Sequence, residues 1–129
     1  MTATRVTGIP VVLLLSDDTE ATAAFYRDVL GLPLQAEQHD GRPRHYAGRL
    51  GDNYVTIQPR EELRAPAGDH GYDYLQLCFS VDDLDAFVQG LAAHGVEPLH
   101  PPMPFEHTRF TTLLDPEGRH VRVMTPWQT

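Results

Sequence analysis

The side chains of this 129-residue chain that could do chemistry include seven histidines. His45, His107 and His120 fall on or beside predicted strands, and Glu106 precedes one of them. None has the short ligand spacing of a zinc motif, so a metal site built from them would depend on tertiary proximity alone. We expect no metal and no cofactor, with the histidines on the surface or in a cavity. A site rebuilt from histidines stays open as the alternative.

Cysteine and carboxylate chemistry has little support. Cys78 has no activating partner nearby in the sequence and is expected to be a small buried hydrophobe. A single cysteine also forms no intramolecular disulfide, which is typical of a reducing cytoplasm. The acidic pairs Glu61-Glu62 and Asp82-Asp83 are adjacent, so their members point in different directions and make no catalytic pair.

Arg122, Tyr54 and Tyr74 are the remaining candidates. A guanidinium on a strand anchors a carboxylate, phenolate or phosphate of a ligand, or it pairs with a carboxylate of the protein. The tyrosines either stack on a planar ligand or pack in the core. Both alternatives stay open, because the outcome depends on which strand face each residue occupies.

The first half of the chain is predicted to fold as βαβββ. A buried strand over 11–15 leads into a helix capped by Asp17, with Glu20 in the capping-box position. Apolar residues at four-residue spacing predict the buried face of that helix, and a glycine and a proline end it. These residues are Ala21, Phe25, Val29, Gly31 and Pro33. Further strands are expected at 34–39, 45–50 and 54–58.

After a linker over 61–71, the second half is predicted to repeat this order. A strand over 74–81 precedes a helix capped by Asp82 and ended by Gly95. Its apolar face consists of Leu84, Phe87, Val88 and Leu91. The last strands are expected at 97–99, 109–114 and 121–125, with a proline-rich loop over 101–104.

Matching landmarks of the two halves recur about 65 residues apart, which indicates an internal duplication. They are Asp18 and Asp83, Gly31 and Gly95, and Val55 and Val121. We therefore predict one domain over 1–129 with modules at 8–60 and 72–127. Within the strands, one face is wholly apolar and the other mixes apolar, aromatic and polar side chains, which suits a ligand cavity or a solvated surface.

Composition excludes several classes of function. Asp and Glu number 18 against 10 Lys and Arg, a formal net charge of -8, which argues against binding to nucleic acid or to an anionic membrane. No apolar run approaches the roughly 18 residues of a membrane span, and no leader segment is recognised. We expect a cytoplasmic protein.

Three motifs resemble the vicinal oxygen chelate superfamily, which includes glyoxalases, bleomycin resistance proteins and dioxygenases. They are Asp18-x6-Phe25-Tyr26-Arg27-Asp28-x-Leu30-Gly31-Leu32, Phe79-x-Val81-Asp82-Asp83 and Asp115-Pro116-x-Gly118. The resemblance covers residues 9–126. It implies an α+β fold of two βαβββ modules whose mixed sheet forms a cup around a metal or ligand, usually in a homodimer, with the loop over 101–105 as a flap.

The resemblance also implies where a metal would bind. Superfamily ligands on the first and last strand of each module correspond to Val11, Thr56, Gln76 and Arg122. Val11 has no donor atom and Arg122 is a permanent cation, so we expect the metal chemistry of the superfamily to be absent.

The resulting hypothesis is a metal-independent binding protein of the bleomycin-resistance type that sequesters an aromatic or amphipathic natural product as a homodimer. The alternative is a cofactorless isomerase, cyclase or lyase of secondary metabolism, with a tyrosine or His120 as acid or base and Arg122 stabilising an oxyanion. A metal-dependent lyase or dioxygenase is less expected. The predicted ligand-binding residues are Val11, Leu13, Tyr54, Thr56, Tyr74, Gln76, Phe105, His107, Arg109, His120, Arg122 and Met124.

Overall fold

Residues 5, 7–38, 41, 43–60 and 76–126 are described by a computed structural model. The chain forms two units, Met1–Ala65 and Pro66–Thr129. Each unit has one four-stranded mixed sheet, and the described elements of each follow the order βαβββ. The predicted α+β class with two βαβββ modules is confirmed. No helix in these described ranges is long and apolar enough to cross a membrane.

The first module has its strands in the order β1-β4-β3-β2, with β1 parallel to β4. The helix α1 continues directly into a π-helical turn at Phe25–Val29. The elements are β1 (Val11–Ser16), α1 (Thr19–Ala24), β2 (Gln35–Glu37), β3 (His45–Leu50) and β4 (Asn53–Pro59).

The second module repeats this topology, with the order β5-β8-β7-β6 and β5 parallel to β8. Its helix continues into a 3₁₀ turn at Leu91–His94, and Gly95 ends it with a φ of 69°, as its predicted role requires. The elements are β5 (Leu77–Ser80), α2 (Leu84–Gly90), β6 (Met103–Phe105), β7 (Thr108–Leu114) and β8 (His120–Met124).

Both helices begin one residue later than predicted. Asp18, not Asp17, caps α1, because its Oδ1 accepts the Ala21 N–H at 3.1 Å. Asp17 instead pairs with Arg60 at 2.9 Å. In α2 the cap is likewise the second aspartate of its pair, Asp83 rather than Asp82. Adjacent aspartates are chemically equivalent, and only the backbone shows which one precedes the first helical turn.

The buried face of the first helix agrees with the predicted one only in part, since Phe25 is buried and Val29 half-buried as expected. Thr22 and Tyr26 are fully buried, whereas Ala21 is exposed. After Ala24 the helix ends in the π-helical turn, where the Leu30 N–H donates to the Phe25 carbonyl at 3.2 Å. An i+5 hydrogen bond widens the helix and breaks the 3.6-residue period on which the prediction rested. In α2, by contrast, the predicted apolar stripe is buried or half-buried.

The predicted strand over 97–99 is wrong, and the predicted loop over 101–104 contributes to strand β6. Leu99 makes a backbone hydrogen bond to Thr112 at 2.8 Å but no strand ladder. Prolines at 98, 101 and 102 remove the N–H donors that a ladder needs. Pro104 is tolerated inside β6, because β6 is the edge strand of its sheet.

The core of each module consists of the strand residues on the predicted apolar parity together with the helix. In the first module, Val55 and Ile57 are buried with Tyr46 of β3, and Val121 and Val123 are fully buried in the second. Val55, Ile57, Val121 and Val123 are therefore core residues as predicted, while Thr56 and Met124 on the opposite parity are buried as well. The Tyr46 phenol is buried on the helix side of its sheet.

Alkaline pH is expected to destabilise the protein through Tyr46. A hydrogen bond with Glu20 and burial raise the pKa of its phenol, so the unfolded chain ionises first. This contribution to the free energy of unfolding is complete below about pH 10 and falls as pH rises above it. Urea titrations at about pH 8 and about pH 11 should show a smaller alkaline loss in Tyr46→Phe than in the wild type. Equal losses in both proteins would contradict this assignment.

Candidate ligand-binding site

The two faces of the second sheet carry different side chains. On β8, Val121 and Val123 are fully buried on one face, so Arg122 between them lies on the other. The strand register places Cys78 of β5 and Thr112 of β7 directly beside Arg122. This face of the second module therefore brings residues of three strands together around one guanidinium.

An apolar pocket of about 300 Å³ opens on this face. Apart from one guanidinium and one thiol, its described lining is aromatic and aliphatic. The lining residues are Cys78, Phe105, Phe110, Arg122 and Met124. Cys78 is exposed, which corrects the expectation that it is buried. A concave apolar surface with a few polar groups is typical of small-molecule sites.

A second, polar pocket of about 240 Å³ shares Phe110 and Arg122 with the apolar one. Beyond these two residues, its lining consists mainly of groups that donate or accept hydrogen bonds. They are Gln76, His100, Thr112 and His120, and Leu99 completes the lining. The two pockets thus adjoin across a wall formed by one aromatic ring and one cation.

The Phe110 ring contacts three other side chains of this site. Phe105 packs against it edge to face, with ring centroids 6.2 Å apart. His100 packs against it in the same manner at 5.1 Å. The Arg122 guanidinium carbon lies 4.5 Å from the Phe110 centroid, in cation–π contact. These contacts hold the shared wall of the two pockets in place.

His100 belongs to the site although the sequence analysis did not select it. Its Nε2 lies 2.8 Å from the Thr112 hydroxyl, and its Nδ1 lies 2.8 Å from the Pro101 carbonyl. Alternation along β7 would have identified Phe110 and Thr112, which share the face of Arg122. His100 sits in a loop without periodicity, so no sequence pattern places it here.

Several predicted ligand-binding residues line these two pockets and others do not. Those that do are Gln76, Phe105, His120, Arg122 and Met124. His107 is exposed in the turn after β6. Arg109 lies on the opposite face of β7, where it pairs with Asp85 of α2 at 3.3 Å. Tyr74 lies outside the described residues.

The other four predicted residues lie together on one face of the first sheet. Val11 and Leu13 of the edge strand β1 are 48% and 42% exposed, and their register partners on β4 are Tyr54 and Thr56. The buried Thr56 hydroxyl donates to the Tyr46 carbonyl at 3.2 Å. This face of the first module is thus apolar along β1 and polar along β4.

A carboxylate, an imidazole and a phenol also meet on this module. Glu37 lies 3.2 Å from His45 Nε2 across the β2–β3 pair, and the Tyr54 hydroxyl donates to the same carboxylate at 3.4 Å. Burial and the charge of Glu37 raise the pKa of the Tyr54 phenol above its ordinary value. The sequence analysis selected Tyr54 as a site residue and missed Glu37, which strand pairing alone brings to it.

The superfamily metal positions do not have suitable donors in this chain. Val11 has no donor atom, and the Thr56 hydroxyl is already engaged with a backbone carbonyl. Arg122 would repel a cation, which leaves the Gln76 amide as the remaining neutral donor. Among residues with assigned positions, no group of three or more His, Cys, Asp or Glu side chains is arranged to hold a metal.

Comparison with protein families agrees with this architecture. Residues 8–123 match the profile described as the glyoxalase/bleomycin resistance protein/dioxygenase superfamily. The chain belongs to that superfamily. This match confirms the family expected from the sequence motifs.

The proteins similar to this chain have names that state different functions or none. The chain is 33% identical over 116 residues to the uncharacterized protein YaeR of Escherichia coli (strain K12), covering 83% of this chain and 87% of YaeR. TnmS3, an antibiotic binding protein from Streptomyces sp. CB03234, has a TM-score of 0.70 at 19% identity, covering 97% of this chain and 100% of TnmS3. A lactoylglutathione lyase from Agrobacterium tumefaciens has a TM-score of 0.69 at 24% identity, covering 94% and 95% of the two chains. At such identities these superfamily structures show the fold alone.

Proposed function

We propose that this protein is a metal-independent binding protein that sequesters an aromatic or amphipathic small molecule, such as a natural-product antibiotic. The observation that carries the proposal is the apolar pocket on the second sheet, whose wall is Phe110. An open apolar concavity of this size favours the body of a small organic molecule, because burying apolar surface releases water from both partners.

The donor chemistry of the site supports the metal-independent part of the proposal. An arginine occupies one superfamily ligand position and a valine another, and neither side chain coordinates a divalent ion. TnmS3, which shares this fold, is an antibiotic binding protein. We further propose that the protein acts in the cytoplasm as a homodimer, in agreement with its single cysteine and its superfamily.

A second candidate is a cofactorless isomerase, cyclase or lyase. The hydrogen-bonded group of Glu37, His45 and Tyr54 favours it, because an imidazole held by a carboxylate beside a protonated phenol resembles an acid–base arrangement. A binding protein captures no more molecules than it has sites, whereas an enzyme converts many molecules per site.

The binding proposal predicts stoichiometric capture. Native mass spectra of the purified protein should show a metal-free dimer that retains one molecule of added N-phenyl-1-naphthylamine per subunit. Incubation of a panel of aromatic antibiotics, including bleomycin, with substoichiometric protein should leave each compound chemically unchanged. One divalent ion per subunit, or conversion of a compound beyond the amount of protein, would overturn the proposal.

A further inference from the structure

We infer that the polar pocket of the second module is an anion subsite, and that the ligand is an amphipathic acid. Its anionic head, a carboxylate, sulfonate or phenolate, lies on Arg122, and its apolar body lies against Phe110 and the apolar pocket. The inference rests on the proposed function, because it names the chemical class of the molecule that the same site binds.

The first argument is the ion pairing of the arginines. The chain has no lysine, so every permanent side-chain cation is an arginine. In the described part of the second module these are Arg109, Arg119 and Arg122. Arg109 pairs with Asp85 and Arg119 pairs with Asp115. Within the described ranges, Arg122 has no carboxylate at ion-pair distance, although the formal charge of the protein is -8.

The second argument is the composition of the two pockets. None of the described residues that line them carries a carboxylate. The half-buried guanidinium of Arg122 is therefore the one permanent charge contributed by those lining residues. A partly desolvated cation without a protein counterion attracts an anion more strongly than an exposed one does, because solvent screens it less.

The third argument is the orientation of hydrogen-bond donors. The contact of Arg122 with the Phe110 ring is made through the π face and consumes no N–H group. The guanidinium therefore keeps its planar donors for a bidentate acceptor such as a carboxylate or sulfonate. The Gln76 amide and the His120 ring line the same pocket and supply further hydrogen-bonding groups.

The fourth argument is the arrangement of the two pockets relative to each other. They share Phe110 and Arg122, so one molecule can place its acid head in the polar pocket and its body in the apolar one. A neutral apolar molecule gains contacts only in the apolar pocket. The site therefore discriminates between two ligands that differ by one anionic group.

A matched pair of fluorescent probes tests this inference. N-Phenyl-1-naphthylamine is neutral, and 8-anilinonaphthalene-1-sulfonate has the same aromatic skeleton with a sulfonate. For the wild type we expect saturable binding of both at one site per subunit, with the sulfonate bound at least about tenfold more tightly. Arg122→Met should abolish that preference, so that the affinity for the sulfonate falls at least about tenfold further than the affinity for the neutral probe.

Two further variants provide the controls. Arg122→Lys keeps the charge but not the planar fork and should retain part of the preference for the sulfonate. Arg27→Met removes the same charge from an exposed site in the first module, where Arg27 pairs with Asp28, and should leave the preference unchanged. Circular dichroism and thermal unfolding establish that each variant is folded before binding is compared.

The outcomes separate this inference from the proposed function. If both probes bind equally well to the wild type, the anion subsite is refuted while the binding function stands. If Arg122→Met weakens both probes to the same extent, Arg122 has a structural role and the inference fails. If the wild type binds neither probe, the proposed function itself is refuted, together with this inference.

Discussion

Asp115→Ala is expected to lower the free energy of unfolding by about 3–5 kcal/mol. Asp115 is buried in the turn between β7 and β8, and its Oδ2 accepts from the Arg119 guanidinium at 2.9 Å. Its Oδ1 accepts the backbone N–H groups of Glu117 and Arg119, each at 2.9 Å. Removal of the carboxylate leaves a buried guanidinium without this partner and frees two backbone donors of the turn.

The measurement is a pair of urea titrations followed by circular dichroism, with Asp85→Ala as the matched control. Asp85 also pairs with an arginine, but the two side chains of that pair are 64% and 48% exposed. Solvent screens such a pair, so its loss should lower the free energy of unfolding by less than about 1 kcal/mol. Equal losses in the two variants would show that the Asp115 turn does not depend on its buried ion pair.

The same variant also tests the register of the site. The Asp115 turn connects β7 to β8, and the register of this hairpin sets Thr112 opposite Arg122. A shift of one residue would move Arg122 to the opposite face of its strand. The same shift would expose Val121 and Val123, which are fully buried, so we expect an Asp115→Ala protein that still folds to keep this register and its preference for the sulfonate probe.

Gly48→Ala is the second substitution with a large expected effect. A Cβ at this position would lie 2.0 Å from the backbone carbonyl oxygen of Pro33. Backbone cannot rotate away as a side chain does, so the segment after the first helix must move away from β3. We expect a loss of about 3 kcal/mol or more in the free energy of unfolding, or failure to fold.

Gly90→Ala is the control for this substitution. Gly90 is the last residue of α2, and a Cβ there meets no atom within 4 Å. Alanine should stabilise the helix by about 0.5–1 kcal/mol, because glycine loses more backbone freedom on folding. Thermal unfolding of both variants tests the pair, and a Gly48→Ala protein as stable as the wild type would contradict the close approach of Pro33.

Elements with strong local patterns were predicted correctly from the sequence. The apolar stripe from Leu84 in α2 to Leu91 in the following turn repeats with helical period and is buried or half-buried as expected. Gly31 and Gly95 follow the helical segments with φ values of 79° and 69°, which favour glycine. These features depend on neighbours within one turn or one strand, so the local sequence contains the information that specifies them.

Features that depend on a choice between similar residues were predicted less well. The cap of each helix was misplaced within an aspartate pair, and the first helix buries Thr22 while the expected Ala21 is exposed. The strand expected over 97–99 formed instead at Met103–Phe105. For the helix caps and the helix face, several local arrangements have similar energies and packing within the module selects one. For residues 97–99, the nearby prolines remove the N–H donors that a strand ladder needs.

The candidate site was likewise predicted only in part from the sequence. Alternation along β8 alone placed His120, Arg122 and Met124 on one face, because successive side chains of a strand point to opposite sides. Only the tertiary structure brought His100 from a proline-rich loop against Phe110 and paired Arg109 with Asp85 on the other face. The sequence by itself determined the order of elements in both modules and the strand face on which Arg122 lies. The pockets around that cation depend on contacts between residues far apart in the chain, which no local period specifies.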